Sequence, residues 1–130
     1  MATYSELQVF KTSYDLMILV FRSTPNVARE YRFSLLENIK IDLVDLCTEI
    51  YRTNNTPEKL KHIEKALELT MQLKLRCRIM SDLGQISKNL FAQIITHTTS
   101  ISTQLKAWYK YHTARHDTGR THQLTIESLL

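Results

Sequence analysis

Three basic residues, Lys74, Arg76 and Arg78, crowd the end of one helical pattern. Lys106, Lys110 and Arg115 recur along the end of the next, with Tyr109 and Tyr111 interleaved. Clustered Lys and Arg bind phosphate backbones without reading base sequence. At about 100° per residue, Lys74 and Arg78 share one helix face a turn apart, and Arg76 points elsewhere. No recognition helix, sheet platform or other base-reading motif accompanies them. The expected contact is therefore salt-sensitive and poorly specific. Charge placement agrees. Residues 1–73 carry nine Lys/Arg against ten Asp/Glu, whereas 74–120 carry eight against two, in a chain of net charge +4. A one-sided basic half is the footprint of a protein that meets a polyanion. A solvated basic surface without a partner has the same composition.

Other candidate chemistry is weaker. His97 falls on the apolar stripe of the fourth helical pattern, where helix bundles hold metals and haem. No Glu-x-x-His pair exists and no second histidine aligns with it, so it reads as a hydrogen-bonded core histidine. His112 and His116 have helical metal-pair spacing, with His122 beyond, which on spacing alone is a weak signal. Asp42, Asp45 and Glu49 could suggest a metal or an acid–base pair, and read instead as the solvated face of a helix. No Gly-rich phosphate loop, nucleophile elbow or triad is present. The residues point to a protein that is not an enzyme and has no metal or cofactor.

The elements that must position these cations are long helices. With 130 residues, 43% of them hydrophobic, and only two Gly and two Pro, the chain reads as one all-helical domain. The first helix is expected over 3–23, opened by a Thr3/Glu6 capping box and ended by Pro25. Its Leu7, Phe10, Tyr14, Met17 and Phe21 form a 3-4-3-4 stripe expected to face the core. Val9, Leu16 and Val20 lie almost opposite, which calls for a second protein surface. The second helix lies within 27–53, with Ser34/Glu37 as a possible capping box. Its core residues are Leu36, Ile39, Leu43, Leu46 and Ile50. Thr56 is expected to cap a third helix, with Pro57 at its first position. That helix has a stripe of Ile63, Ala66, Thr70, Leu73, Cys77 and Met80, widened by Leu60, Leu67 and Met71. Gly84 fits the left-handed residue after a helix, Ser87 the next N-cap, and Ile86 with Phe91 a hydrophobic staple. The fourth helix then runs to about residue 113 on Leu90, Ile94, His97, Ile101, Leu105 and Trp108. Its outer face, Gln93, Thr96, Thr99, Ser100 and Thr103, carries no charge and suits a subunit contact.

Residues 1–113 thus form an antiparallel up-and-down four-helix bundle, and 114–130 a basic tail ending in an apolar segment. No apolar run is long enough for a membrane span, and the N-terminus does not read as a secretion signal. Cys47 and Cys77, each inside a helical pattern, read as free buried thiols in a reducing, cytoplasmic setting.

Several of these segments resemble the accessory variability determinant (Avd) proteins of diversity-generating retroelements. Tyr31-Arg32-Phe33-Ser34-Leu35-Leu36-Glu37-Asn38-Ile39 is similar to that family's Y/F-R-F-T-L-G-E-R-I signature, departing from it at Leu36, where the family usually has Gly. Glu49-Ile50-Tyr51-Arg52-Thr53-Asn54-Asn55, Leu73-Lys74-Leu75-Arg76, Asp82-Leu83-Gly84-Gln85-Ile86-Ser87 and Leu105-Lys106-Ala107-Trp108 also match, in order, over residues 7–112. A sister family encoded in intervening sequences of bacterial 23S ribosomal RNA genes is the poorer match, because its Ile-Pro-Ser-Asn-Ile-Ala-Glu-Gly type segment is absent. The resemblance implies a four-helix bundle assembled as a homo-oligomeric ring, a pentamer. It also implies a non-enzymatic partner of a reverse transcriptase that binds template RNA or DNA during mutagenic cDNA synthesis. The residues expected to hold nucleic acid are Lys74, Arg78, Lys106 and Lys110, with Arg76 and Arg115 beside them. A structural adaptor that binds no nucleic acid is the alternative.

Overall fold

The structure, a computed structural model, describes the backbone of residues 4–115 and the side chains of residues 8–114. Among the described residues every regular element is helical. Helix α1 spans Tyr4–Ser23. Helix α2 is one rod in three consecutive segments: a turn Arg29–Tyr31, a π-helical turn Arg32–Leu36 and a long segment Glu37–Asn54. Helices α3 and α4 span Lys59–Asp82 and Lys88–Arg115. Thr3 of the expected first cap, the Leu7 side chain and residues 116–130 of the expected tail lie outside the described residues.

Helix α1 packs on α2 and α4, and α3 packs on the same two, so each helix touches two neighbours around one core. The Ala28 N–H donates to Oε1 of Gln85 at 2.8 Å, bringing the α1–α2 and α3–α4 turns to the same end. Short turns and this meeting of ends make sequential helices antiparallel. The chain is an all-helical bundle. No helix among the described residues is long and apolar enough to cross a membrane.

The α2 stripe Leu36, Ile39, Leu43, Leu46 and Ile50 and the α3 stripe from Ile63 to Met80 are buried as their spacing dictates. The α3–α4 turn also follows its chemistry. Gly84 has φ +70°, the conformation that costs a side chain most and glycine least. The Gln85 N–H donates to the Met80 carbonyl at 2.9 Å and the Gly84 N–H to the Ser81 carbonyl at 3.0 Å. This pair of bonds closes the helix end. The Ser87 hydroxyl then accepts from the Leu90 N–H at 3.0 Å and starts α4.

Helix α1 corrects its expected face. Val9, Ser13, Leu16 and Val20 are buried, while Phe10, Tyr14 and Phe21 are 36%, 47% and 44% exposed. Ser13 hid this face by interrupting its apolar run. Its hydroxyl donates to the Val9 carbonyl at 2.8 Å, so burying it leaves no polar group unpaired. The small and branched residues take the interior, and the aromatics are left on the flank. Two caps also differ. Ser34 lies within the α2 rod, its hydroxyl donating to the Glu30 carbonyl at 3.2 Å. Thr56 Oγ1 accepts from the Glu58 N–H at 3.2 Å ahead of a helix that starts at Lys59, so Pro57 precedes the helix.

Cys47 and Cys77 are free and buried. Burial pushes the Cys47 thiol up to about 11 and the Cys77 thiol to about 12, Asp42 adding to the latter. Thiolate is the nucleophile, so an aromatic disulfide reagent at neutral pH should label neither cysteine in the native protein and both after denaturation; rapid native labelling would contradict this burial. The folded values lie above the unfolded thiol value. The proton is therefore held more tightly in the folded state, and this contribution to stability should fade as pH rises from about 9.

Candidate nucleic-acid interface

Lys74 and Lys106 each follow a fully buried leucine, Leu73 on α3 and Leu105 on α4. One residue past a core position is a rotation of about 100°, and in both helices it turns the side chain toward the α3–α4 seam. The two lysines line one cleft of about 340 Å³, together with Leu67, Glu68, Thr70, Met71 and Ser102. Their methylene stems can lie along the apolar wall while the ammonium groups reach water. No ion pair engages Lys74 or Lys106 among the described residues, whereas five other Lys or Arg side chains, at Lys11, Arg52, Lys65, Arg76 and Arg78, are salt-bridged.

Arg78 and Lys110 extend this pair. Each lies one turn further along its helix, and antiparallel packing sends them to opposite ends of the cleft. With Tyr109 against Glu64 fixing the register, the result is a line of cations in the order Arg78, Lys74, Lys106, Lys110, over roughly 24 Å from the helical rise. Arg78 approaches Asp82 at 3.9 Å with both side chains 72% exposed, a pair that contributes little.

Arg76 is not part of this line. It reaches across the opposite flank of α3 and donates to the Asp42 carboxylate of α2. Arg115 is the last residue of α4, and its side chain lies outside the described residues. Asp42 was expected to face water, as was Glu49. Both are buried, because α3 packs over that side of α2 and brings Arg76 to Asp42 and His62 to Glu49. Glu49 contacts His62 Nδ1 at 2.7 Å and Arg52 Nη1 at 2.9 Å. Nearby, the buried Tyr109 hydroxyl donates to Glu64, and burial together with that carboxylate raises its pKa. The cleft of about 550 Å³ around Glu49, Arg52, Lys61, His62, Glu64, Lys65 and Glu68 mixes both signs of charge and is largely satisfied internally.

His97 is not in the core either. It is half-buried, with Nδ1 against the Gln93 carbonyl at 2.8 Å, and Thr98 takes the buried position. No group of His, Cys, Asp and Glu among the described residues is arranged to hold a metal ion.

Two apolar surfaces stand open on different faces. Along the α1–α2 seam, Lys40 Nζ sits 5.1 Å from the Phe21 ring centroid. Continuing that antiparallel register sets Met17 level with Val44 and Phe10 level with Tyr51, all but Met17 exposed. On α3, Met71, Leu75 and Ile79, followed by Leu83 just past the helix end, repeat every fourth residue across the outer face and are likewise exposed. The uncharged positions Gln93, Thr96, Thr99, Ser100 and Thr103 lie on the exposed side of α4.

No known family model, curated protein or solved structure matches this chain.

The separation of Arg76 from the other cations has a measurable consequence. Removing it leaves the Asp42 carboxylate, 8% exposed, without its cation. Arg76→Ala should lower unfolding stability by about 2 kcal/mol in a urea titration, a change Lys74→Ala should not produce. Equal stabilities would show that the pair contributes nothing.

Proposed function

We propose that this chain is a non-enzymatic, nucleic-acid-binding accessory subunit that holds RNA or DNA by its phosphate backbone in the α3–α4 cleft. The observation that carries this reading is that Lys74 and Lys106, from two helices, line one cleft and neither is held in an ion pair among the described residues. Arg78 and Lys110 lengthen the track to several phosphates, and backbone contacts of this kind supply sequence-independent affinity. The resemblance of residues 7–112 to Avd proteins supports the more specific reading. The chain is then an Avd protein of a diversity-generating retroelement, partnered by its reverse transcriptase in mutagenic cDNA synthesis. The free buried thiols fit a reducing, cytoplasmic setting.

The same reading includes assembly into a ring, a pentamer. The α1–α2 seam and the α3 stripe are both apolar and occupy different faces. When one face of a copy meets a different face of the next, the contact is head-to-tail, and a suitable rotation closes it into a ring. Closure would repeat the cation line around the assembly and enlarge its field. The open apolar faces would equally serve a structural adaptor that binds no nucleic acid.

Titration of labelled RNA against rising salt separates the two readings. Binding should weaken linearly on a log–log scale. Lys74→Glu/Lys106→Glu should reduce affinity at least about tenfold and make the slope shallower by about one for each phosphate deprived of its cation. Undetectable binding at low salt would leave the adaptor. Sedimentation of the purified protein should show a pentamer at micromolar concentration, and Tyr14→Glu, at an exposed position of the α1–α2 seam, should yield monomers. A monomeric wild-type protein would end the ring proposal.

A further inference from the structure

A neutral polar link crosses the seam between α1 and α4. The amide Nε2 of Gln104 on α4 donates to Thr12 Oγ1 on α1 at 3.3 Å and to Ser100 Oγ at 3.0 Å. The Thr12 hydroxyl donates its one hydrogen to the Gln8 carbonyl at 2.9 Å, so toward Gln104 it can only accept. That fixes the sense of the amide: Nε2 faces α1, and Oε1 is turned away from Thr12. One helical turn further along α4 stands Trp108, 5% exposed and the single tryptophan of the chain. Gln104 Oε1 and Trp108 Nε1 are both closed off from solvent, and neither has a hydrogen-bond partner among the described residues.

We infer that one buried water bridges Trp108 Nε1 and Gln104 Oε1, accepting from the indole and donating to the amide. An indole N–H only donates and an amide oxygen only accepts. The occupant must therefore do one of each, and a site shielded from solvent between two side chains admits only a small one. Buried polar atoms are nearly always satisfied, by protein or by ordered water, and a buried water makes two to four hydrogen bonds. The spacing fits. Residues four apart on one helix face stand about 5–6 Å from each other, close to two hydrogen-bond lengths of about 2.9 Å each. The water also acts on α1. By holding Oε1 it keeps Nε2 turned toward Thr12, and so steadies the side-chain bond from α4 to α1. It thereby supports the bundle on the side away from Asp42 and Glu49.

A high-resolution crystal structure of the full chain should show one ordered water within about 3.2 Å of both atoms. Trp108 supplies a second readout in solution, because all tryptophan emission of the chain comes from it. Gln104→Leu keeps a side chain of similar bulk and removes the acceptor. Its emission maximum should move to shorter wavelength as the indole loses its hydrogen-bonded water, with thermal unfolding confirming that the variant is folded. A crystal in which Oε1 accepts directly from the indole N–H, or in which no water touches both atoms, overturns the bridge. So does a folded Gln104→Leu variant whose emission is unchanged. Should that variant not fold, the wild-type crystal decides alone.

Discussion

Two carboxylates buried between α2 and α3 fix the register on which the bundle depends. Asp42 and Glu49 sit seven residues apart on the flank of α2 and are closed over by α3. A charge taken out of water is tolerated only with a partner in good geometry. Arg76 answers Asp42, and His62 with Arg52 answers Glu49. A slide of one turn between the helices would keep leucine against leucine but would strand both acids. Hydrophobic burial supplies the drive to pack, and these pairs select which packing. They also decide what remains for function. With Arg76 committed to the α2 side, Lys74 on the other side of the same helix is left over for the α3–α4 cleft.

The residues that could be read correctly from sequence were those whose roles are local. The α2 and α3 core stripes follow from periodicity, and the Gly84–Ser87 turn follows from backbone preferences that hardly depend on the rest of the molecule. Misreadings arose where the answer depended on a neighbouring helix. In α1, two stripes of comparable hydrophobicity competed, and the more aromatic one was the natural choice for the core. The decision went to the face with Ser13, whose hydroxyl is satisfied within its own helix. Asp42 and Glu49 resembled a solvated face because the α3 residues that cover them, Arg76 and His62, lie 34 and 13 residues away in the chain. One signal could have raised the question: both acids immediately neighbour core residues, Leu43 and Ile50, rather than sitting opposite them.

The cation line shows the same division. That Lys74 and Arg78 share a face, and that Arg76 does not, follows from 100° per residue. That Lys106 comes to stand across a cleft from Lys74 requires the α3–α4 register, which no local pattern contains. The apolar part of the cleft lining was hidden for a related reason. Leu67 and Met71 were naturally assigned to a widened core, yet the seam between two helices leaves Met71 largely open to solvent.

The hydrogen bond from Ala28 to Gln85 has an architectural consequence. Helices α1 and α2 form one hairpin and α3 and α4 another, and the chain passes between them only once, through residues 55–58 at the far end. At the near end the two hairpin bends are fastened by a side chain acting on a backbone amide 57 residues away. The fold is therefore a pair of hairpins with a covalent tether at one end and a clasp at the other. Topologically it stands close to a two-chain complex, in which the tether raises the local concentration of the halves and the buried acids and the clasp specify how they meet.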